Sequence, residues 1–136
     1  MDLKKLSNKL RFRIIKMSHE TRAPHLASSL SCIDIVTTLY ESVLKINSKN
    51  PKWELRDRFI LSKGHAATSL YVALEYKKFI NEKDLRSYTK KKSLLEEHPS
   101  PKLQGIEAAT GSLGHGLPIG CGIALSAKIK KKDFMT

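Results

Sequence analysis

The sequence has few cysteines, few aromatic residues and no long apolar run. Its two cysteines, Cys32 and Cys121, fit no zinc-binding spacing, and we expect both to be small buried apolar residues that stay reduced. Residues 117–127 form the longest stretch without charge or strong polarity, and they are too few to span a bilayer. Lysines and arginines interrupt the N-terminal segment, so it lacks the apolar centre of a secretory signal. These absences predict a soluble cytoplasmic protein with no membrane partner.

Acidic residues are also scarce relative to basic ones. The chain has 25 lysines and arginines against 13 aspartates and glutamates, which gives a formal net charge of +12. Such an excess favours binding to phosphate-rich polymers. The basic residues are spread over the whole chain, however, and no helix-turn-helix, zinc-finger or aromatic RNA-binding motif accompanies them. We therefore predict non-specific affinity for polyanions and no specific nucleic-acid partner.

What the sequence does contain is helical periodicity. Its 136 residues, 40% of them hydrophobic, predict one domain over residues 1–136. Apolar residues recur at steps of three and four from Leu3 to Met17, which predicts an amphipathic helix that ends between Ser18 and Pro24. Similar patterns predict helices over 32–44, 65–79 and 114–132, and a short helix that begins after Asn81.

One segment has the pattern of a buried strand. Phe59, Ile60 and Leu61 form a short continuous apolar run between polar segments, which is typical of a strand covered on both faces. Helices that flank such a strand indicate an α/β layered fold. Because the sequence contains only one clear strand, we expect a helix-rich α/β fold with an incomplete parallel sheet.

Two glycine-containing turns are candidate ligand sites. "SKGH", residues 62–65, follows the predicted strand, where backbone N–H groups of parallel folds meet anionic ligands. A glycine at such a turn is also common for purely structural reasons. "TGSLGHG", residues 110–116, is neither a P-loop nor the usual dinucleotide motif, so a cradle for a phosphate or an aromatic ring stays open.

Three histidines lie in polar or turn segments near proline or glycine. They are His25, His65 and His98, and none forms an i, i+4 pair with another histidine, which argues against zinc. One such histidine would usually be incidental. Three together predict a polar pocket that needs several neutral hydrogen-bonding groups.

In order along the chain, these segments resemble the transketolase family. The stretches that carry the resemblance are "APHLASSLSCIDIVTTLY", "DRFILSKGHAATSLYVALEYKKFI" and "EEHPSPKLQGIEAATGSLGHGL". They are similar to the thiamine-diphosphate-binding N-terminal part of the enzyme, especially of the split type whose two halves are separate chains. The resemblance covers nearly the whole chain and implies a partial thiamine-diphosphate-binding fold.

The resemblance also implies roles for particular residues. His25, His65 and His98 match the family's catalytic histidines, which contact the substrate or the cofactor. His65 also matches the histidine near the cofactor diphosphate, and Gly111, Ser112 and Leu113 match positions that surround the cofactor. Pro24 and Ala27 depart from the family pattern, which usually has glycines on either side of the first histidine. His115 stands where the family often has glutamine.

The implied activity is transfer of a two-carbon ketol unit between sugar phosphates, with thiamine diphosphate as cofactor. The implied partner is the C-terminal transketolase subunit. We expect a homo- or hetero-oligomer that has little activity as a single chain. The family's Gly-Asp-Gly motif for Mg²⁺ is not in the sequence, so we assign no metal ligand and expect a chain truncated before that motif. Two alternatives stay open: a non-catalytic remnant, and part of an enzyme like deoxyxylulose-phosphate synthase.

Overall fold

The fold is built from helices around one central helix. The computed structural model describes residues 2–136. Helix α4 (Ala67–Tyr76) is buried on every side from Ala67 to Leu74, and α1, α2, α3 and α5 pack around it. A helix without a polar face is stable only inside such a shell. No helix among the described residues combines the length and the apolar character that a membrane crossing needs.

Helix α1 (Leu3–Thr21) confirms the amphipathic helix predicted at the N-terminus. The Asp2 carboxylate caps it by accepting hydrogen bonds from two backbone N–H groups of the first turn. The helix ends at Arg22, whose φ of 58° lies in the left-handed region. Its apolar stripe faces the core, with Leu6, Leu10, Ile14 and Met17 buried.

The chain then forms two short helices where the sequence predicted one. Helix α2 (Leu26–Leu30) comes from the polar segment before the predicted helix and was not expected. Helix α3 (Ile33–Thr38) continues as a π-helical turn (Leu39–Val43), which together confirm the helix predicted over 32–44. Tyr40 in this turn is buried and packs edge-on against Phe59, with ring centroids 5.4 Å apart.

The strand predicted at residues 59–61 is not formed. The structure assigns no β-strand anywhere in residues 2–136, so the part of the fold that is established is helix-rich. The physical reason is pairing: a strand exists only when its backbone bonds to a neighbour along a ladder. Here a single backbone bond joins this segment to the C-terminal one, from Arg58 N to Met135 O at 2.8 Å.

The remaining elements lead to and follow the candidate turns. A 3₁₀ turn (Gly64–Ala66) precedes α4, and the short helix α5 (Glu82–Leu85) has the predicted cap at Asn81. Helix α6 (Gly116–Ile129) lies within the predicted small-residue helix. The prediction of two buried cysteines is wrong for Cys121, which is exposed because α6 buries few of its side chains, and Cys32 is only half-buried.

Asp57 fastens the start of the extended segment. Its side chain is 1% exposed, and its two carboxylate oxygens accept hydrogen bonds from Lys45 N (2.7 Å) and Met135 N (2.8 Å). The backbone N–H of Asp57 donates to Lys45 O at 2.9 Å. One buried carboxylate therefore links three separate parts of the chain.

We predict that Asp57→Asn lowers the free energy of unfolding by about 2 kcal/mol, because the amide has one oxygen and cannot accept both bonds. Urea denaturation followed by circular dichroism measures the change. Asp133→Asn is the matched control, since Asp133 is exposed. An Asp57→Asn protein as stable as the control would contradict the role of this carboxylate.

Candidate functional site

The candidate site begins where two stretches of backbone touch. A Cβ on Gly64 would lie 2.6 Å from both the carbonyl carbon and the oxygen of Thr110, and 2.7 Å from Gly111 N. No larger residue fits there without moving the backbone. The Thr110 hydroxyl donates to Leu61 O at 2.7 Å and fixes the same contact from the other side. The "SKGH" turn and the glycine-rich loop are thus held together.

A second close contact lies at the start of α6. A Cβ on Gly116 would lie 2.5 Å from Cα of Ser62. Helix α6 therefore begins directly against the turn that leads to His65. The two glycine contacts fix both ends of the loop that connects Thr110 to the helix.

His25 and His65 are brought together although forty residues separate them in the sequence. Their ring centroids are 5.2 Å apart and the rings are tilted by 60°. His25 is exposed and has a φ of 71°, in the left-handed region that costs a non-glycine residue conformational energy. Such strain is typical of functional sites.

Lys63 holds the segment that carries His25 against the turn that carries His65. Its ammonium donates to Ser28 O at 3.3 Å and to the Ser31 hydroxyl at 2.8 Å. A buried hydrogen bond of 2.7 Å from the Thr68 hydroxyl to the Ser29 hydroxyl joins α4 to α2 nearby. These polar contacts explain why the "HLASSLS" segment folds onto this part of the protein.

His98 lies on the other side, against the glycine-rich loop. A Cβ on Gly111 would lie 3.0 Å from Cδ2 of the His98 ring. The buried Tyr71 side chain holds the histidine's segment, because its hydroxyl donates to Glu96 O at 2.8 Å and to His98 O at 3.1 Å. Burial raises the pKa of Tyr71 well above its usual value, so the hydroxyl stays protonated and can donate.

The three imidazoles are close enough to influence one another electrostatically. Partial burial lowers the pKa of His65, and the positive charges of His25, Lys63 and His98 lower it further. His65 is therefore neutral at neutral pH. A neutral imidazole has one N–H donor and one acceptor nitrogen, which suits contact with hydroxyl or carbonyl groups.

The glycine-rich loop supplies an open surface beside these rings. Gly114 has a φ of 91° and no heavy atom near its missing side chain, and Ser112 and Leu113 are both exposed. Leu113 is 73% exposed, a large value for an apolar side chain. Of the predicted cofactor residues, Gly111 contacts His98, whereas Ser112 and Leu113 lie on the surface next to it.

Sequence reasoning missed several residues that position the site. Ser28, Ser31 and Tyr71 were not singled out, although the polar run in "HLASSLS" between two apolar patterns was a usable signal for the serines. Tyr71 gave no signal, because a tyrosine within an apolar helix has the same pattern as a core residue. The predicted exchange at His115 places an exposed side chain just before α6.

Comparisons with known proteins match this arrangement. The family described as "Transketolase, thiamine diphosphate binding domain" matches residues 3–136. The chain belongs to the transketolase family. It is 40% identical over 130 residues to one of the subunits of the apulose-4-phosphate transketolase of Phocaeicola vulgatus, which covers 96% of this chain and 46% of that protein. It is 38% identical over 130 residues to human transketolase-like protein 2, which covers 96% of this chain and 21% of that protein.

Solved transketolases have the same fold over this region. Transketolase from Campylobacter jejuni superposes with a TM-score of 0.86 at 35% identity over 93% of this chain and 20% of that one. Transketolase from Leishmania mexicana gives a TM-score of 0.85 at 26% identity, over 93% and 19%. The chain thus spans less than half the length of these transketolases, and its fold is the N-terminal domain fold of the family.

The departures from the transketolase pattern have a visible consequence. Ala27 lies inside α2, where its φ is negative, so no glycine is needed there. The positive φ of this segment falls on His25 itself, directly after Pro24. The His25 turn therefore places its conformational strain on the imidazole-bearing residue.

We predict that His65 titrates below the ordinary histidine pKa of 6.5, and that His25→Gln raises this pKa because it removes one positive neighbour. The unfolded state then binds more protons than the folded state between the lowered pKa and 6.5, so stability decreases as the pH falls through that window. Imidazole NMR signals followed against pH measure both effects.

His19→Gln is the matched control, since His19 lies at the exposed end of α1. It should leave the His65 titration unchanged. A His65 pKa at or above 6.5, or one that shifts equally in both variants, would contradict the proximity of the three imidazoles.

Proposed function

We propose that this chain is the cofactor-binding part of a transketolase-like enzyme that transfers a two-carbon ketol unit between sugar phosphates and needs a partner chain. One observation carries the proposal: three turns distant in sequence bring His25, His65, His98 and Gly111 to one place. A set of exposed or half-exposed imidazoles beside a glycine-rich loop suits a ligand with phosphate, ring and hydroxyl groups.

The residues present fit thiamine diphosphate. Lys63 and the N–H groups of His65 supply positive charge and donors for a diphosphate, and exposed Leu113 supplies an apolar contact for a ring. Gly111 leaves room for close approach of the loop backbone to a ligand. The bound cofactor supplies a thiazolium ring that acts as an electron sink for the cleaved bond.

The histidines have separate tasks in this proposal. His25 and His98 are exposed and can donate hydrogen bonds to hydroxyl and carbonyl oxygens of the sugar. Neutral His65 can accept a proton from a sugar hydroxyl and return it to a carbonyl oxygen. The positive charge of Lys63, close to His65, keeps the imidazole neutral until it accepts that proton.

Mg²⁺ does not fit the residues described. Among residues 2–136, no group of three or more histidine, cysteine, aspartate or glutamate side chains could hold a metal ion. We therefore derive no step through a metal. That its ligands lie outside this chain stays a prediction from the family resemblance.

The incomplete parallel sheet is also part of the proposal. The segment at Arg58 and the segment at Met135 lie side by side, since Arg58 N donates to Met135 O and Met135 N donates to Asp57. Each precedes or follows a helix of the same domain, as in a parallel βαβ unit. We infer that these segments are the first two neighbours of a parallel sheet in the assembled enzyme.

A partner surface is available on α6. Leu117, Leu125 and Ile129 are 58–72% exposed on a helix with almost no charge, and a cavity of about 480 Å³ opens between this helix and residues 58–62. An apolar surface of this kind is typically covered in an assembly. We propose that a homo- or hetero-oligomeric contact covers it and that the enzyme works in the cytoplasm, where its two free cysteines stay reduced.

A chimera tests the proposed function. Residues 2–136 replace the matching segment of the related Phocaeicola vulgatus protein, which supplies the rest of the length, and the chimera is combined with that enzyme's other chain. We expect ketol transfer from apulose 4-phosphate, measured as sugar-phosphate products by mass spectrometry. Alanine at His25, His65 or His98 should each lower kcat by at least about 100-fold, because each removes a proton donor or acceptor.

His19→Ala in the same chimera is the matched control and should retain full activity. Calorimetry with thiamine diphosphate separates binding from turnover. A folded chimera that binds no cofactor, or whose three histidine variants remain as active as the control, would support the non-catalytic remnant instead.

A further inference from the structure

A groove lies between α1 and α5, apart from the histidine-bearing turns. It has a volume of about 650 Å³. The buried side chains of Met17 and Leu85 form its floor, and Phe12, 67% exposed, stands at its rim. On α1 the lining residues follow one another at helical spacing from Lys9 to Thr21, which is about 18 Å of helix at 1.5 Å per residue. The shape is elongated, unlike a pocket for a small molecule.

The groove is strongly basic. Five lysines and arginines and two glutamates line it, an excess of three positive charges. Arg86 pairs with Glu82 at 2.6 Å, and Lys16 lies 3.9 Å from Glu20. We call this surface the basic groove.

Two of its lysines have no counter-charge. The structure records no ion pair for Lys9 or Lys90 within residues 2–136, and both are exposed. Arg13, by contrast, is turned to Glu75 at 2.5 Å. The basic groove therefore presents free positive charge beside an apolar floor.

We propose that the basic groove binds an acidic amphipathic helix of a partner protein. A helix that lies in a groove places apolar residues at steps of three and four on the floor, here Met17 and Leu85, and its other residues face the walls. Carboxylates on those walls meet Lys9 and Lys90, so the charges of the two partners are complementary. The 18 Å length accommodates about three turns of such a helix.

The same features argue against a single-stranded nucleic acid. Binding without sequence preference needs several aromatic side chains on which bases stack, and Phe12 is the one aromatic residue that lines the groove within the described part of the chain. Glu20 and Glu82 within the groove repel phosphates. Neither feature hinders a helix whose carboxylates are spaced along one side.

The proposal is tested with a fluorescein-labelled peptide of about fourteen residues that has leucine at three- and four-residue steps and glutamate elsewhere. We expect it to bind the full chain, measured by fluorescence anisotropy. Lys9→Glu with Lys90→Glu should weaken binding about tenfold, because two attractions become repulsions. Phe12→Ser should weaken it about fivefold, and since this side chain is exposed the variant should fold normally.

Lys49→Glu with Lys52→Glu is the matched control, because it changes the net charge equally at exposed loop positions outside the groove. It should alter the affinity less than twofold. An equal loss in both double variants would show attraction by net charge alone and overturn the proposal. So would a peptide with scrambled leucines that binds as tightly, or a dodecamer of thymidine that displaces the peptide and depends on Lys9 and Lys90 in the same way.

These readouts involve no turnover. The peptide can therefore bind the basic groove whether or not the chimera is active, and the failure of one proposal does not imply failure of the other.

Discussion

The backbone contact of Gly64 with Thr110 and Gly111 is the constraint on which the candidate site depends. Atoms that would lie 2.6 Å from a Cβ leave no space for any side chain, so the two turns can meet only through glycine. His65 follows one turn directly, and His98 packs on Gly111 of the other. The contact thus determines the distance between imidazoles that come from different parts of the sequence. The family's reaction needs this kind of convergence, since a sugar phosphate offers several oxygens at once.

Electrostatics then sets the protonation of the assembled groups. Lys63 and the neighbouring histidines disfavour a charged His65, while Asp57 supplies negative charge only deep in the protein, where backbone N–H groups use it. The surface around the imidazoles is therefore positive and poor in carboxylates. A surface of this kind attracts a diphosphate or a sugar phosphate and leaves a neutral imidazole free to exchange protons.

Much of the helical framework could be predicted from the sequence. The three- and four-residue steps of α1 and the apolar run of α4 follow directly from how each helix is buried. The strand at 59–61 could not be predicted in the same way, because a strand depends on the segments that pair with it and periodicity describes only one segment. Cys121 shows the same limit, since its exposure depends on what packs against α6. The site was predictable in its residues, because turn chemistry singled out three histidines and Gly111, which the structure brings together. Its supports, Lys63 with its serine partners and Tyr71 beneath His98, act through bonds between distant segments that local sequence does not encode.

The most direct measurement of the central claim compares Gly64→Ala with Gly122→Ala, a glycine of α6 that has open space around it. We predict that Gly64→Ala lowers the free energy of unfolding by about 1–3 kcal/mol and separates the His25 and His65 rings, seen as loss of the NOE contacts between their imidazole protons. Gly122→Ala should leave both properties unchanged or slightly raise stability. A Gly64→Ala protein with unchanged stability and unchanged contacts between the two rings would contradict the account.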